Sequence, residues 1–319
     1  MGMTMISMPR ATRLGERGFA LMAVLWVLTG IAALALVARV AARDAVRAAI
    51  NREDLAAGTW RAEDCLSRVR AAASAVLRAE TGQAGRGGWA NLDSIAPTSP
   101  LLAESGCEVE IRAAGAGLDA NAADEETLRR FATELGAGGD AADSLVDALA
   151  DWRDADDEPR PLGAEGPWYR ARGLPAPRDG ALADPRELRR VRGWDRFEGI
   201  DTLVAVDGGR VPLNRAPHAV LAALPGMTPE AARAVLELRA RGQPVADPVA
   251  LEPLLGSAAR RALMAGYAEL APRVSPGPEV WTVTARGRMG TPPVSSVVEV
   301  RLARAGTRAA VVRRRVWSE

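Results

Sequence analysis

The chain begins with a sharp contrast between polar and apolar segments. Residues 1–18 place Arg10, Arg13 and Arg17 against a single acid, Glu16, while residues 19–38, opening "FALMAVLWVLTGIAALAL", carry no ionisable side chain. At about 1.5 Å per residue that run makes a helix roughly 30 Å long, the thickness of a bilayer's hydrocarbon core. The arginine excess before it tends to stay cytoplasmic, which places the remainder of the chain across the membrane. A cleaved export signal is the other reading. Such signals have an apolar core of about 7–15 residues ending at small side chains, and Ala33, Leu34 and Ala35 offer a site of that kind.

Beyond the run, from Val40 to about Arg78, there is no proline and one glycine, Gly58. Val46, Ile50, Leu55, Leu66, Val69 and Val76 recur there at mostly helical intervals among charges, which predicts that the anchor helix continues and docks on a globular domain. The glycines of "TGQAGRGGWANLDS" then break it. "CEVEIRA" alternates, with Cys107, Val109 and Ile111 on one face and Glu108, Glu110 and Arg112 on the other, as a half-buried strand does. Three further strands, "VWTVTARG", "SSVVEVRLARA" and "RAAVVRRRVW", close the chain, separated by "GRMGTPP" and Gly306. With the strand near Cys107 they form the expected antiparallel sheet.

The middle of the chain reads as helical. "LDANAADEETLRRF" and "VPLNRAPHAVLAAL" share a spacing, Asn121, Ala123, Leu128 and Asn214, Ala216, Leu221. Each asparagine is placed to cap a helix, with Asp124 and Pro217 in the first turns, so helices are predicted at about 122–136 and 215–224. The second copy continues as "LPGMTPEAARAVLELRARG", a helix-hairpin-helix in which Leu224, Pro225 and Gly226 make the hairpin and Thr228 caps the next helix before Pro229. Such hairpins bind phosphate in DNA-repair proteins. Here Glu230 and Glu237 offset Arg233 and Arg239, which favours a packed module for protein contact; a membrane-anchored DNA-binding protein is the alternative.

Composition narrows the chemistry. Of 319 residues with a net charge of +1, about 280 lie beyond leader and anchor, enough for two modest domains. Near-neutrality argues against a global nucleic-acid or membrane-surface field. His218 is the single histidine, which removes most histidine-based catalysis and histidine-bearing zinc sites. Cys65 and Cys107 either pair in an oxidising compartment, tying helix to strand, or stay as buried thiols. "DWRDADDEPRPLGAEGPWY" crowds Asp151, Asp154, Asp156 and Asp157 together, with Glu158 beside them and Glu165 after a proline-glycine turn. Hard oxygen ligands at short, irregular spacing suit Ca²⁺, although no EF-hand pattern is present; the other reading is a solvated turn neutralised by Arg153 and Arg160.

Several features carry a family resemblance. The junction Gly18–Phe19, where the polar leader meets the apolar helix, resembles the type IV prepilin signal, with a glycine that keeps the backbone extended and accessible. In that family the prepilin peptidase cuts after the glycine and methylates the new amino terminus, which the resemblance places at Phe19. Most members have a glutamate at the fifth mature position, where this chain has Ala23. A carboxylate at that depth costs about 2.5–3.5 kcal/mol unless paired with the preceding subunit's amine, and its absence resembles the K component, the large minor pseudopilin of the type II secretion system.

The string "DWxDxDD...GxE...Y" is similar to that component's calcium-binding signature, onto whose acidic positions Asp151, Asp154, Asp156, Asp157 and Glu165 fall. "ELRRVRGWD" has the same look, and the weak repeat resembles the component's paired helical modules. The resemblance implies an α+β fold: a pilin-like long N-terminal helix packed on an antiparallel sheet, with a large α-helical insertion domain. The implied parts are a leader (1–18), a transmembrane helix (19–40), pilin-like segments (41–117 and 271–319) and the insertion (118–270). It further implies a non-enzymatic subunit of the inner membrane, single-pass with its globular part in the periplasm. That subunit starts or caps the pseudopilus, works with the other minor pseudopilins, the major pseudopilin and the prepilin peptidase, and binds Ca²⁺ but no nucleic acid.

Overall fold

The computed structural model describes residues 15–80, 87–103, 107–206 and 208–319, with the side chains of 15–20 left aside. Most of the leader, residues 1–14, lies outside the described residues. The apolar run and the amphipathic stretch after it form one helix, α1 (Gly15–Glu80), of 66 residues, roughly 100 Å long. The backbone at Gly18–Phe19 is helical rather than extended. Once a helix is nucleated, adding residues is cheap, and a single glycine costs only about 1 kcal/mol. From Leu21 to Glu53 every side chain of α1 is exposed, and this is a helix long and apolar enough to cross a membrane. From Gly58 onward one face is buried, through Ala62, Cys65, Leu66, Val69, Ala72, Ala73 and Leu77, the three-and-four spacing of a helix against a surface.

Two short helices, α2 (Leu92–Ile95) and α3 (Pro100–Ala103), lead to β1 (Glu108–Ala113). Cys65 on α1 and Cys107 just before β1 are joined by a disulfide, their Cα atoms 5.6 Å apart.

The insertion follows in two like units. The first holds β2 (Leu118–Asp119), α4 (Glu125–Glu134), α5 (Asp140–Arg153), α6 (Gly166–Arg170), α7 (Ile200–Leu203) and β3 (Val204–Ala205). The second holds β4 (Val211–Pro212), α8 (His218–Ala223), α9 (Pro229–Ala240), α10 (Ser257–Leu270) and β5 (Val274–Ser275). Each unit is closed by a parallel pair, β2 with β3 and β4 with β5. The insertion therefore runs past position 270, because Val274 and Ser275 pair with Val211 and Pro212. A shared core that includes Trp152, Tyr169, Trp194, Leu221 and Leu263 fills both units.

Asn121 and Asn214 are not helix caps. Asp124 caps α4 by accepting from the Thr127 amide at 2.8 Å, and α8 starts at His218 after Pro217. Each asparagine is instead a clasp. The Asn121 carboxamide accepts from Leu182 N at 2.9 Å and donates to the carbonyls of Leu182 and Val206, each at 3.0 Å. Asn214 accepts from Val245 N at 2.8 Å and donates to Val245 O and Pro276 O. A carboxamide has donors and an acceptor on one fork, so it can hold both groups of a passing peptide, which a cap cannot. The likeness extends to "LADP" and "VADP", in which Asp184 and Asp247 cap 3-10 turns that start with Pro185 and Pro248.

The chain returns as β6 (Val280–Met289), β7 (Val294–Ala305) and β8 (Arg308–Ser318). The antiparallel order is β1-β6-β7-β8. The face toward α1 is built of cross-strand pairs, Trp281 with Leu302, Val283 with Val300 and Ala285 with Val298, all of them buried. Helix and sheet meet backbone to backbone at Gly58 and Gly287, where a Cβ on Gly58 would lie 2.7 Å from Gly287 O and one on Gly287 would overlap Gly58 O. Alongside, Thr59 Oγ1 and Ser296 Oγ share a hydrogen bond of 2.6 Å.

Gly287→Val is expected to force α1 off the sheet and to lower unfolding stability by about 1–3 kcal/mol in denaturant titration. Gly30→Ala, where nothing lies within 4 Å, is expected not to lower the midpoint, since the change meets no neighbour and favours helix.

Candidate metal centre

The acidic string folds as the end of α5 and the loop that returns to α6. Asp151 lies in the last turn of α5 and is fully buried. Both its oxygens accept from the Arg160 amide at 3.2 Å. Gly163 passes so close that a Cβ there would overlap the Asp151 carboxylate. Leu162 N donates to Asp147 at 3.1 Å, Ser144 Oγ donates to Leu162 O at 2.9 Å, and Arg192 donates to Gly163 O at 2.7 Å. Asp151 thus holds the loop in place, and the loop in turn fixes Glu165 at the start of α6. Beneath it, Tyr169 packs edge-on to Trp152 and Trp168, with ring centres 5.4 and 4.9 Å away, and its hydroxyl accepts from Arg192 N at 3.0 Å.

Three carboxylates converge above this floor. Asp154, Asp156 and Glu165 each offer an oxygen, all within 4.8 Å of one another. Glu165 is 2% exposed. Both its oxygens, and Asp154 Oδ1, are buried without a hydrogen-bond partner; the Glu165 carboxylate faces the Gly166 amide without reaching bonding geometry. Burial, then the charges of Asp151 and Asp154, push the Glu165 carboxyl up to about 7. Burial, then Asp156, raises Asp154 as well. Unpaired buried carboxylate oxygens are costly unless neutralised.

The two nearby arginines are engaged elsewhere. Arg153 points into the fold and donates to Ala120 O at 2.5 Å, and the Arg160 guanidinium donates to Glu125 at 2.6 Å. Neither hydrogen bonds the three carboxylates, which weakens the reading of a turn neutralised by these arginines. Oxygens within 4.8 Å match a hard cation such as Ca²⁺, whose oxygen ligands sit at about 2.3–2.6 Å.

Of the five acidic positions singled out in the sequence, the structure brings Asp154, Asp156 and Glu165 together and sets Asp151 behind them as a support. Asp157 is exposed and outside the cluster. Sequence reasoning missed Asp179. It stands on the loop before Leu182 with φ +53°, in the left-handed region that aspartate tolerates better than most residues, and its charge raises both Asp154 and Glu165. Its only signal was the turn-like "RDG".

The hairpin at Leu224–Gly226 forms as expected, with Thr228 Oγ1 accepting from Ala231 N at 3.2 Å. Gly226, at φ +71°, lies against Gly266 of α10 so closely that a Cβ would come 2.9 Å from the Gly266 Cα. The groove beside it is lined by Glu126, Glu134 and Glu269 as well as Arg129 and Arg130, a mixed surface poorly suited to a phosphate backbone.

A membrane-length N-terminal helix docked on a four-stranded antiparallel sheet defines a pilin-like α+β protein, here enlarged by a helical insertion. Residues 91–198, which include the acidic loop, match the model of the family described as Type II secretion system (T2SS), protein K. In fold, the chain is similar to a chain of the crystal structure of the GspK-GspI-GspJ complex from the enterotoxigenic Escherichia coli Type 2 Secretion System. The two share 17% sequence identity with a TM-score of 0.56, over 85% of this chain and 99% of that one. No curated protein sequence matches. The family match bears out the resemblance to the K component, and the structural match bears out the fold.

The Glu165 carboxyl sets a pH dependence with a definite sign. Its folded value of about 7 lies above the ordinary 4.5, so its burial carries no penalty below the ordinary value. Stability is then lost as pH rises toward and through 7. In chelator-treated protein, Glu165→Gln is expected to flatten this fall and to exceed the parent at pH 8 by something on the order of 1–3 kcal/mol. Denaturant midpoints between pH 5 and 8 measure it, and parallel pH profiles for the two chains would contradict it.

Proposed function

We propose that this chain is a minor pseudopilin at the tip of a type II secretion pseudopilus, a structural subunit that starts or caps the filament. The observation that carries the reading is the match of residues 91–198 to protein K. The bare apolar half of α1 supports an inner-membrane anchor with the globular part in the periplasm. Ala23 leaves the helix without the buried carboxylate that would require a subunit ahead of it. In this role α1 packs beside the helices of the other minor pseudopilins, the Phe19 amine meets a carboxylate of the next subunit, and the insertion blocks addition above. The prepilin peptidase and the major pseudopilin are the remaining partners.

The same reading assigns Ca²⁺ to Asp154, Asp156 and Glu165, with Asp151 holding the loop that presents them. A bound cation neutralises carboxylates that otherwise repel one another on a buried floor. It pins the α5–α6 loop, a structural role.

Protein purified from membranes is expected to begin at methylated Phe19, and not to do so in cells lacking the prepilin peptidase; intact mass spectrometry reads this directly. A chain starting near Ala35, or at Met1 in both cells, would remove the pseudopilin reading. Separately, millimolar Ca²⁺ is expected to raise the thermal midpoint of chelator-treated protein at pH 7.5, and Glu165→Gln to abolish most of that rise. An equal rise in parent and variant would place the ion elsewhere.

A further inference from the structure

The insertion joins the pilin-like core through two short crossings of chain, residues 114–117 and 276–279. On the sheet face turned away from α1, a cleft of about 680 Å³ separates the two bodies. Thr284, Glu299 and Arg315 line its sheet side, and Arg186, Thr202 and Val206 its insertion side. The sheet wall is mostly polar and charged, so little hydrophobic gain draws the walls together. The first crossing contains Gly115 at φ +75° and Gly117, whose missing side chain leaves room for the Val204 backbone.

Arg215 spans the seam with a full set of hydrogen bonds, while across the cleft the charge of Arg315 on the sheet acts on Asp184 of the insertion. Arg215, which follows the Asn214 clasp in the second unit, donates to both oxygens of Asp93 at 2.8 and 3.0 Å, to Ala90 O at 2.8 Å and to Asn91 Oδ1 at 2.9 Å. Its guanidinium also lies 5.8 Å from the centre of the Trp281 ring. The turn it grips is fixed to the core. Trp281 Nε1 donates to Trp89 O, Trp89 Nε1 donates to Pro278 O, both at 2.9 Å, and Trp89 N donates to Glu80 at the end of α1. Arg215 therefore reaches from the insertion to a rigid turn that caps the long helix. Its side chain remains 27% exposed and that of Asp93 30% exposed, open to water and to a competing carboxylate. An ion pair so placed is worth little in stability beside a buried one, yet its bidentate fork fixes an angle.

We propose that Arg215 is a latch that sets the angle of the helical insertion on the pilin-like core, and that its release lets the insertion rock over the cleft about the two crossings. The inference rests on the seam alone and does not depend on the secretion reading. The latch couples the far end of α1, through Glu80, Trp89 and Asp93, to the orientation of the whole insertion, a hinge arrangement in which one contact selects between packings.

The test uses the full chain in detergent with spin labels at Thr202→Cys and Glu319→Cys, on opposite walls of the cleft, and pulsed EPR distances between them. The parent is expected to give one narrow distribution. Arg215→Ala and Asp93→Asn are each expected at least to double its width or to add a second distance, with helical content unchanged. Arg215→Lys, which keeps charge but loses the fork, is expected to fall between. A distribution as narrow as the parent's in folded Arg215→Ala protein overturns the latch; should that variant not fold, Arg215→Gln, which loses both charge and fork, decides in the same way.

Discussion

One helix in this molecule has to be at home in two solvents. Over residues 21–38 α1 offers apolar side chains all round, which suits lipid; from Gly58 onward it offers a single buried stripe, which suits a sheet. The change of solvent happens within one unbroken hydrogen-bonded rod, so the globular part must grip the rod firmly enough to fix its height. The grip is the backbone contact of Gly58 with Gly287, where helix and sheet meet with no side chain between them. Up to Glu53 the helix stands free, and beyond Gly58 the stripe from Ala62 to Leu77 packs on Trp281, Val283 and Val300. The disulfide between Cys65 and Cys107 ties the same half of the helix to the first strand. Contact at one glycine pair and a covalent link further along leave the helix little freedom to slide.

The insertion obeys a different logic. Neither of its units has a sheet large enough to organise a core, each having a single parallel pair two residues long. What closes them is a half-buried asparagine whose carboxamide holds a distant peptide from both sides. Around that clasp, helices of ten to fourteen residues (α4, α5, α9 and α10), too short to be stable alone, share one apolar core. The carboxylate cluster sits at the rim of the first unit, where α5 runs out and the chain must turn back. Asp151, Asp147 and Gly163 shape that turn, leaving Asp154, Asp156 and Glu165 facing one another. The energetic tension of the site lies in Glu165, buried with neither oxygen paired.

Much of this was legible in the residues. The charge-free run, the amphipathic continuation and the alternating strands each have a single period, and each became the element its period predicts. The acidic string was visible as a crowd of carboxylates on one loop, although its residues alone fit a cation site and a solvated turn equally well. What could not be read were the long-range partners. The spacing shared by Asn121 and Asn214 was visible, but an asparagine near a helix start has a local explanation, and only the fold shows it bonding 61 and 31 residues away. Asp157 looks the same as Asp156 in sequence; the direction of the loop separates them. Asp179 lies 25 positions beyond Asp154, with no periodicity to connect them. The extended backbone expected at Gly18 gave way to helix because local glycine preference is weaker than the cooperativity of the rod around it.

The two clasps close loops of different length, one spanning 61 residues and the other 31. The entropy of closing a loop grows only with the logarithm of its length, about 0.6 kcal/mol for a doubling. The longer first unit, with the acidic turn, α6 and the aromatic floor between its asparagine and Leu182, therefore carries almost no extra closing cost relative to the shorter second. The asparagine acts as a socket whose two ends stay fixed while the cargo between them changes. An architecture of this kind can gain or lose a whole acidic loop without redesign of the core beneath it.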